Sequence, residues 1–175
     1  LRSRPRLQSH REALDVLDRA KLIDFIASGE RSPDQWTVGT EYEKHVVDAQ
    51  GRPLPYASDE GGPSIRGILQ ALADHRGWAA VMEGEHLVAL QKNCASVSLE
   101  PGGQIELSGA PMATLGEMSQ ELTEHVEDLA FLSRELGVRW LWSGLHPVAK
   151  LEAIPWMPKK RYVIMRRYLP TRGAL

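Results

Sequence analysis

The chain has 175 residues, 42% of them apolar and 25% charged, with a formal net charge of −2. That is enough chain for one sizeable core, and the charge balance gives no support for a nucleic-acid or anionic-membrane surface. No apolar run approaches the roughly 18 residues of a membrane span, and the basic start Leu1-Arg2-Ser3-Arg4-Pro5-Arg6 has no apolar stretch behind it, so a signal peptide is not expected. Cys94 is the only cysteine, which excludes an intrachain disulfide and fits a reducing, cytoplasmic compartment.

In chain order, Ser9-His10-Arg11-Glu12 reads as a capping box. An amphipathic helix is expected after it, with Leu14, Leu17, Leu22, Phe25 and Ile26 inward and Gly29 as its stop. Residues 36–47 read as a strand, Asp48-Ala49-Gln50-Gly51 as a turn, and 57–63 as a loop. Residues 64–76 read as a helix with Ile65, Ile68, Leu69 and Leu72 on one face. Residues 86–91 and 96–100 read as a hairpin joined through Lys92-Asn93-Cys94-Ala95. A second capping box, Thr114-Leu115-Gly116-Glu117, opens a long helix to Leu136, closed by Gly137. Its expected apolar stripe is Met118, Leu122, Val126, Leu129 and Leu132 or Leu136. A strand over 138–145 and a short helix over 159–168 complete the order, with Trp140, Trp142 and Trp156 as candidates for exposure. Helices interspersed with hairpin strands predict an α+β fold, an antiparallel sheet covered by helices.

Two segments concentrate acidic side chains on strand-like backbone. In Gln104-Ile105-Glu106-Leu107, alternation sends Ile105 and Leu107 to one face and Gln104 and Glu106 to the other, with Glu100 just ahead of the break at Pro101-Gly102-Gly103. In Thr40-Glu41-Tyr42-Glu43-Lys44, Glu41 and Glu43 share a face. An ordinary solvent-facing strand, with Lys44 matching the carboxylates, is the bland reading. The repeat of the pattern and the preceding Gly-Gly favour a site for a hard divalent cation such as Mg2+. Lys159, Lys160, Arg161, Arg166 and Arg167 crowd the last helix, where Arg161, Met165 and Tyr168 share a face suited to a carboxylate or phosphate; a solvated basic helix explains the spacing equally well. The histidines lack metal-ligand spacing, Cys94 has no adjacent base, and neither Gly-x4-Gly-Lys-Ser/Thr nor Gly-x-Gly-x-x-Gly occurs.

Together these motifs resemble the glutamate–cysteine ligases of the plant and proteobacterial type. The resemblance rests on Val38-Gly39-Thr40-Glu41-Tyr42-Glu43-Lys44, Val81-Met82-Glu83-Gly84-Glu85, Ser98-Leu99-Glu100-Pro101-Gly102-Gly103-Gln104-Ile105-Glu106-Leu107-Ser108-Gly109-Ala110-Pro111, and Met157-Pro158-Lys159 with Arg161-Tyr162 and Ile164-Met165. It runs from about Leu22 to the end, and the Leu-Glu-Pro-Gly-Gly-Gln-x-Glu-Leu-Ser-Gly run is its most specific part. It implies a partial glutamine-synthetase-like catalytic domain, with residues 1–175 the N-terminal part of a longer one and inactive alone. It also implies ATP-dependent joining of the glutamate γ-carboxylate to the cysteine amine through a γ-glutamyl phosphate, the first step of glutathione synthesis. Carried over residue by residue, Glu41, Glu43, Glu100 and Glu106 become candidate Mg2+ ligands, Gln104, Arg161, Tyr162 and Met165 candidate substrate-site residues, and Arg161 the candidate catalytic group. Two departures stand out: Tyr42 replaces the family's frequent His, on the face away from the glutamates, and the cysteine pairs of plant members are missing. Alternatives are a sister carboxylate–amine ligase with another amine, or a non-catalytic binding homologue.

Overall fold

The computed structural model describes residues 18–173. The first capping box, Leu14 and Leu17 lie outside them. The chain divides after Trp36 into two compact units. In the first, α1 (Arg19–Ala27) starts at Asp18, whose side chain accepts from the Lys21 backbone N–H. None of its residues is buried, and Phe25 and Ile26 are each 75% exposed. The inward packing expected for Leu22, Phe25 and Ile26 is therefore not observed: periodicity identifies an apolar face but not a surface to cover it.

The second unit is built on a sheet. Its strands are β1 (Glu41–Val47), β2 (Ala79–Glu83), β3 (His86–Lys92), β4 (Ala95–Leu99), β5 (Ile105–Ser108) and β6 (Arg139–Leu141). Among the described residues they form one six-stranded antiparallel sheet in the order β2-β3-β4-β5-β1-β6. Its helices are α2 (Ile65–Arg76), α3 (Leu115–Leu136) and α4 (Lys160–Tyr168). The α+β antiparallel architecture matches the expectation, with two further strands. β2 was not read from the sequence; it pairs with β3 across the two-residue Gly84-Glu85 turn, where Gly84 takes φ +64°. β5, recognised only as strand-like, pairs with both β1 and β4.

Local chemistry explains most element ends. Ser64 caps α2 through the Gly67 N–H, and left-handed Gly77 closes it. Thr114 and Glu117 form the expected reciprocal box at the start of α3, and left-handed Gly137 ends it. Asp48 accepts from the backbone N–H of Gln50 and Arg52 and so builds the turn after β1. Two expected strands are shorter than read, and a third, β4, is displaced by one residue. β1 begins only at Glu41, because Val38 pairs in isolation with Met112. β6 has three residues rather than eight, and the backbone leaves the sheet at Trp142. β4 stops at Leu99, so Glu100 stands just beyond it.

The sheet has unlike faces. Val46, Leu90, Val97, Leu99, Ile105 and Leu107 pack into one core with Ile65, Ile68, Leu69 and Leu72 of α2 and Leu132 of α3. The buried stripe of α3 is rotated from the expected one: His125, Asp128, Leu129 and Leu132 are buried, whereas Val126 is exposed. His125 and Asp128 are tolerated inside because each meets a cation, Lys44 and Arg76 respectively, at 2.5 Å. Trp142 and Trp156 are exposed as expected. Trp140 is not: it packs on the core, and its indole N–H donates to Leu129 O and Ser133 Oγ.

Candidate active site

The other face of the sheet collects the acidic residues. Register sets Glu43 directly opposite Glu106, and Glu106 opposite Ser98; Glu41 lies opposite Ser108. Beyond β4, the Glu100 backbone N–H donates to Gln104 O, closing the loop that holds Pro101-Gly102-Gly103. That loop turns through Gly102 at φ +71° and Gly103 at φ +81°, a backbone that side chains disfavour. The Gln104 amide then donates from Nε2 to Glu43 Oε1 at 2.8 Å, while its own Oε1 is buried without a hydrogen-bond partner.

The four carboxylates differ in surroundings. Burial, followed by the charge of Glu100 and Glu41, pushes the Glu43 carboxyl above the usual range. Burial, then Glu100, Glu41 and Glu43, does the same to Glu106. Burial would also raise Glu100, but hydrogen bonds from Ser98 and Tyr162 and the charges of Lys159 and Arg161 outweigh it and hold that carboxyl low. Its Oε1 accepts from Ser98 Oγ at 2.8 Å and from Lys159 Nζ at 3.3 Å. Its Oε2 accepts from Tyr162 Oη at 2.9 Å and, in a short contact, from Arg161.

The start of α4 delivers these groups. The Lys160 backbone N–H donates to Glu83 Oε2, pinning the helix end to β2. Tyr162 is buried and reaches Leu99 O at 3.1 Å. Arg161 and Tyr162, candidate substrate-site residues by resemblance, thus lie beside Glu100. Met165 sits a turn further on, lining an apolar cavity of about 560 Å³ with Pro101, Gly102, Ile154, Trp156 and Tyr162. Arg166 stacks over Trp156, 4.8 Å from the ring centre.

Two lysines gain roles that the sequence did not announce. Lys159, left without a function, is buried and holds Glu100; its signal was its place two residues before Arg161. Lys44 does not match Glu41 and Glu43 on their face. It points the other way, is 0% exposed, and bonds His125 Nε2. The same alternation that grouped the glutamates puts Lys44 with Tyr42 and Val46 on the core face. Burial, against the opposing pull of Glu106 and Glu43, brings the Lys44 amine down to about 7. Tyr42 points away from the glutamates, as expected, stacking on Trp142 with ring centres 4.9 Å apart.

Whether the acidic face suits Mg2+ can be judged from its donors. They are all oxygen, as a hard cation requires, and two like charges stand directly opposite each other with a buried amide oxygen unsatisfied nearby. Among the described residues no three His, Cys, Asp or Glu side chains close into a cage. Mg2+ is commonly held by one or two carboxylates together with water and substrate phosphates, so an open set fits it.

Fold and site define an α+β unit with one apolar sheet face under helices and one open face bearing carboxylates, consistent with part of a catalytic domain. The sequence profile of glutamate-cysteine ligase family 2 matches residues 37–175. Chloroplastic glutamate–cysteine ligases are similar across almost the whole chain: 38% identity over 164 residues for Medicago truncatula, 40% for Brassica juncea and 39% for Arabidopsis thaliana. Each alignment covers 93% of this chain but 30–31% of the relative. The chain belongs to glutamate-cysteine ligase family 2, and it spans about three-tenths of the length of these relatives.

Proposed function

We propose that the chain supplies part of the active site of an ATP-dependent ligase joining the γ-carboxylate of L-glutamate to the amine of L-cysteine. Family membership supports the reaction class. The observation that carries the site is the Glu43–Glu106 pair, set opposite each other on an open sheet face beside Gln104 and the Glu100 cluster. The choice of cysteine as the amine rests on family membership.

A carboxylate is a poor acylating agent because its oxygen leaves badly. Phosphoryl transfer from ATP gives γ-glutamyl phosphate, which the amine nitrogen attacks, releasing phosphate. Mg2+, taken by one or two of the candidate ligands Glu41, Glu43, Glu100 and Glu106 together with water and phosphate oxygens, would neutralise charge on the triphosphate. The chain's own groups position the reactants. Gln104 fixes Glu43 through its amide N–H. Arg161 is the exposed cation that can take a substrate carboxylate or phosphate. Tyr162 and Met165 border the adjoining apolar cavity, a suitable wall for a substrate side chain. A cytoplasmic setting remains part of this reading, supported by the free, exposed thiol of Cys94. Among the described residues no helix is long and apolar enough to cross a membrane.

The test is ADP release by the full protein with glutamate, ATP and Mg2+, with and without cysteine, beside Glu106→Gln. Cysteine-dependent release falling at least about 100-fold in the variant supports the proposal; 100-fold corresponds to losing roughly 3 kcal/mol of transition-state stabilisation. Release with another amine but not cysteine would reassign the substrate, and unimpaired turnover by Glu106→Gln would overturn the cation site.

A further inference from the structure

Glu100 cannot take a cation while all four of its donors stay in place. A carboxylate has about four acceptor positions. Those of Glu100 are taken by Ser98, Lys159, Tyr162 and Arg161. No position is left for a cation, and Arg161 Nη2, one of the nitrogens that could meet an anion, is engaged by the carboxylate. One donor has to leave, and the four are not equal. Lys159 is buried, with a side chain only 10% exposed, and would lose its counter-ion inside the protein. The Tyr162 hydroxyl is buried, and its single proton lies between Glu100 Oε2 and Leu99 O. Arg161 has a side chain 57% exposed, so water replaces what it gives up. The Glu100 side of the pair is buried, at 11% exposure, so Arg161 leaves only when an anion replaces Glu100 as its counter-ion and a cation replaces Arg161 beside Glu100.

We propose that Arg161 is the exchangeable partner of Glu100: it leaves to bind an anionic ligand, and its departure frees Glu100 Oε2 for the divalent cation, so that the two ligands assist each other's binding. Lys159, with Ser98 and Tyr162, is the positioning residue that keeps Glu100 aimed while the exchange takes place. The coupling is reciprocal by thermodynamic necessity, and a fivefold or larger effect is expected for a device of this kind. The inference deepens the ligase reading and rests on its cation site.

The experiment is Mn2+ binding to the full chain, followed by electron paramagnetic resonance, for the wild type, Arg161→Gln and Arg166→Gln. Arg166 also lies on α4 but over Trp156, so its variant measures the general effect of removing a charge. Without any anion, Arg161→Gln should bind Mn2+ at least about fivefold more tightly than Arg166→Gln. With saturating L-glutamate, the wild type and Arg166→Gln should tighten by a similar factor while Arg161→Gln stays unchanged. Equal affinities of the two variants without anion would overturn the exchange, whatever the substrate proves to be. A glutamate effect that persists in Arg161→Gln would overturn it too. No Mn2+ binding in any of the three would overturn the cation site itself and the exchange with it.

Discussion

At Glu106 the demands of stability and of function oppose each other. The side chain faces Glu43 directly across the β1–β5 ladder, and both carboxyls are pushed up by burial and by neighbouring charge. A directly opposed like-charge pair costs about 0.2–1 kcal/mol. Glu106→Gln keeps the shape and removes the repulsion. In the absence of divalent cations at pH 7 it should therefore unfold later in urea than the wild type, by up to about 1 kcal/mol. Adding Mg2+ should stabilise the wild type more than the variant. A variant that is less stable under both conditions would mean that Glu106 serves packing rather than a ligand. The outcome also guards the activity test, since lost turnover in a more stable protein cannot be blamed on misfolding. The pairing of Glu106 with Glu43 was half legible in the sequence: alternation gave the face of each, but only the strand register gives their opposition. The engagement of Glu100 by Lys159 and Arg161 was not legible, because the partners are about 60 residues apart and meet only once α4 docks.

The elements that could be read were those announced by short-range chemistry. Ser64 and Gly77 bound α2, and Thr114, Glu117 and Gly137 bound α3, as side-chain capping and left-handed glycine dictate. β2 escaped because Ala79-Ala80-Val81-Met82-Glu83 lacks alternation, although Gly84-Glu85 was a usable hairpin signal. The stripe on α3 was misplaced because His125 and Asp128 were counted as polar, and only their buried partners make them core residues. The Pro101-Gly102-Gly103 turn shows how tightly one element can be specified. Gly84 and Gly103 both have positive φ, but a Cβ on Gly84 meets open space, whereas one on Gly103 would stand 3.0 Å from Met157 Cε and 3.4 Å from Ile65. Gly84→Ala should cost about 1 kcal/mol of backbone strain. Gly103→Ala should cost that strain and in addition about 1–3 kcal/mol for displacing Met157 and Ile65. Urea denaturation of both variants measures the difference. Equal losses would show that Met157 yields freely and that the loop carrying Glu100 and Gln104 is not held by core packing.

Across the sheet-based unit as a whole, polar ties are built into the apolar core. Lys44 of β1 meets His125 of α3, and Arg76 of α2 meets Asp128 of α3, so two strand and helix layers are joined by groups that would be costly to bury alone. Burial, then the charge of Lys44, brings the His125 imidazole down to about 3. An unfolded histidine titrates near 6.5. Below that pH the unfolded chain takes up a proton that folded His125 refuses, so the unfolded state is favoured progressively. The stability this residue provides is fully present above about pH 6.5, falls as pH drops toward 3, and is gone below both values. Glu43 and Glu106, with raised carboxyls, pull the other way as acid neutralises their repulsion, and Glu100, held low, adds to the loss at the acid end. The contribution of His125 is isolated with His125→Gln, which can still accept a hydrogen bond from Lys44 but does not titrate. Urea unfolding between pH 7.5 and 4 should show the wild type losing stability more steeply than His125→Gln, by a few kcal/mol over that range. The variant should be the weaker of the two at pH 7.5, where the neutral imidazole packs and accepts without penalty, and should close the gap as the pH falls. Parallel curves would mean that His125 takes up its proton in the folded state, and that the Lys44 amine then releases its own to keep the buried pair singly charged.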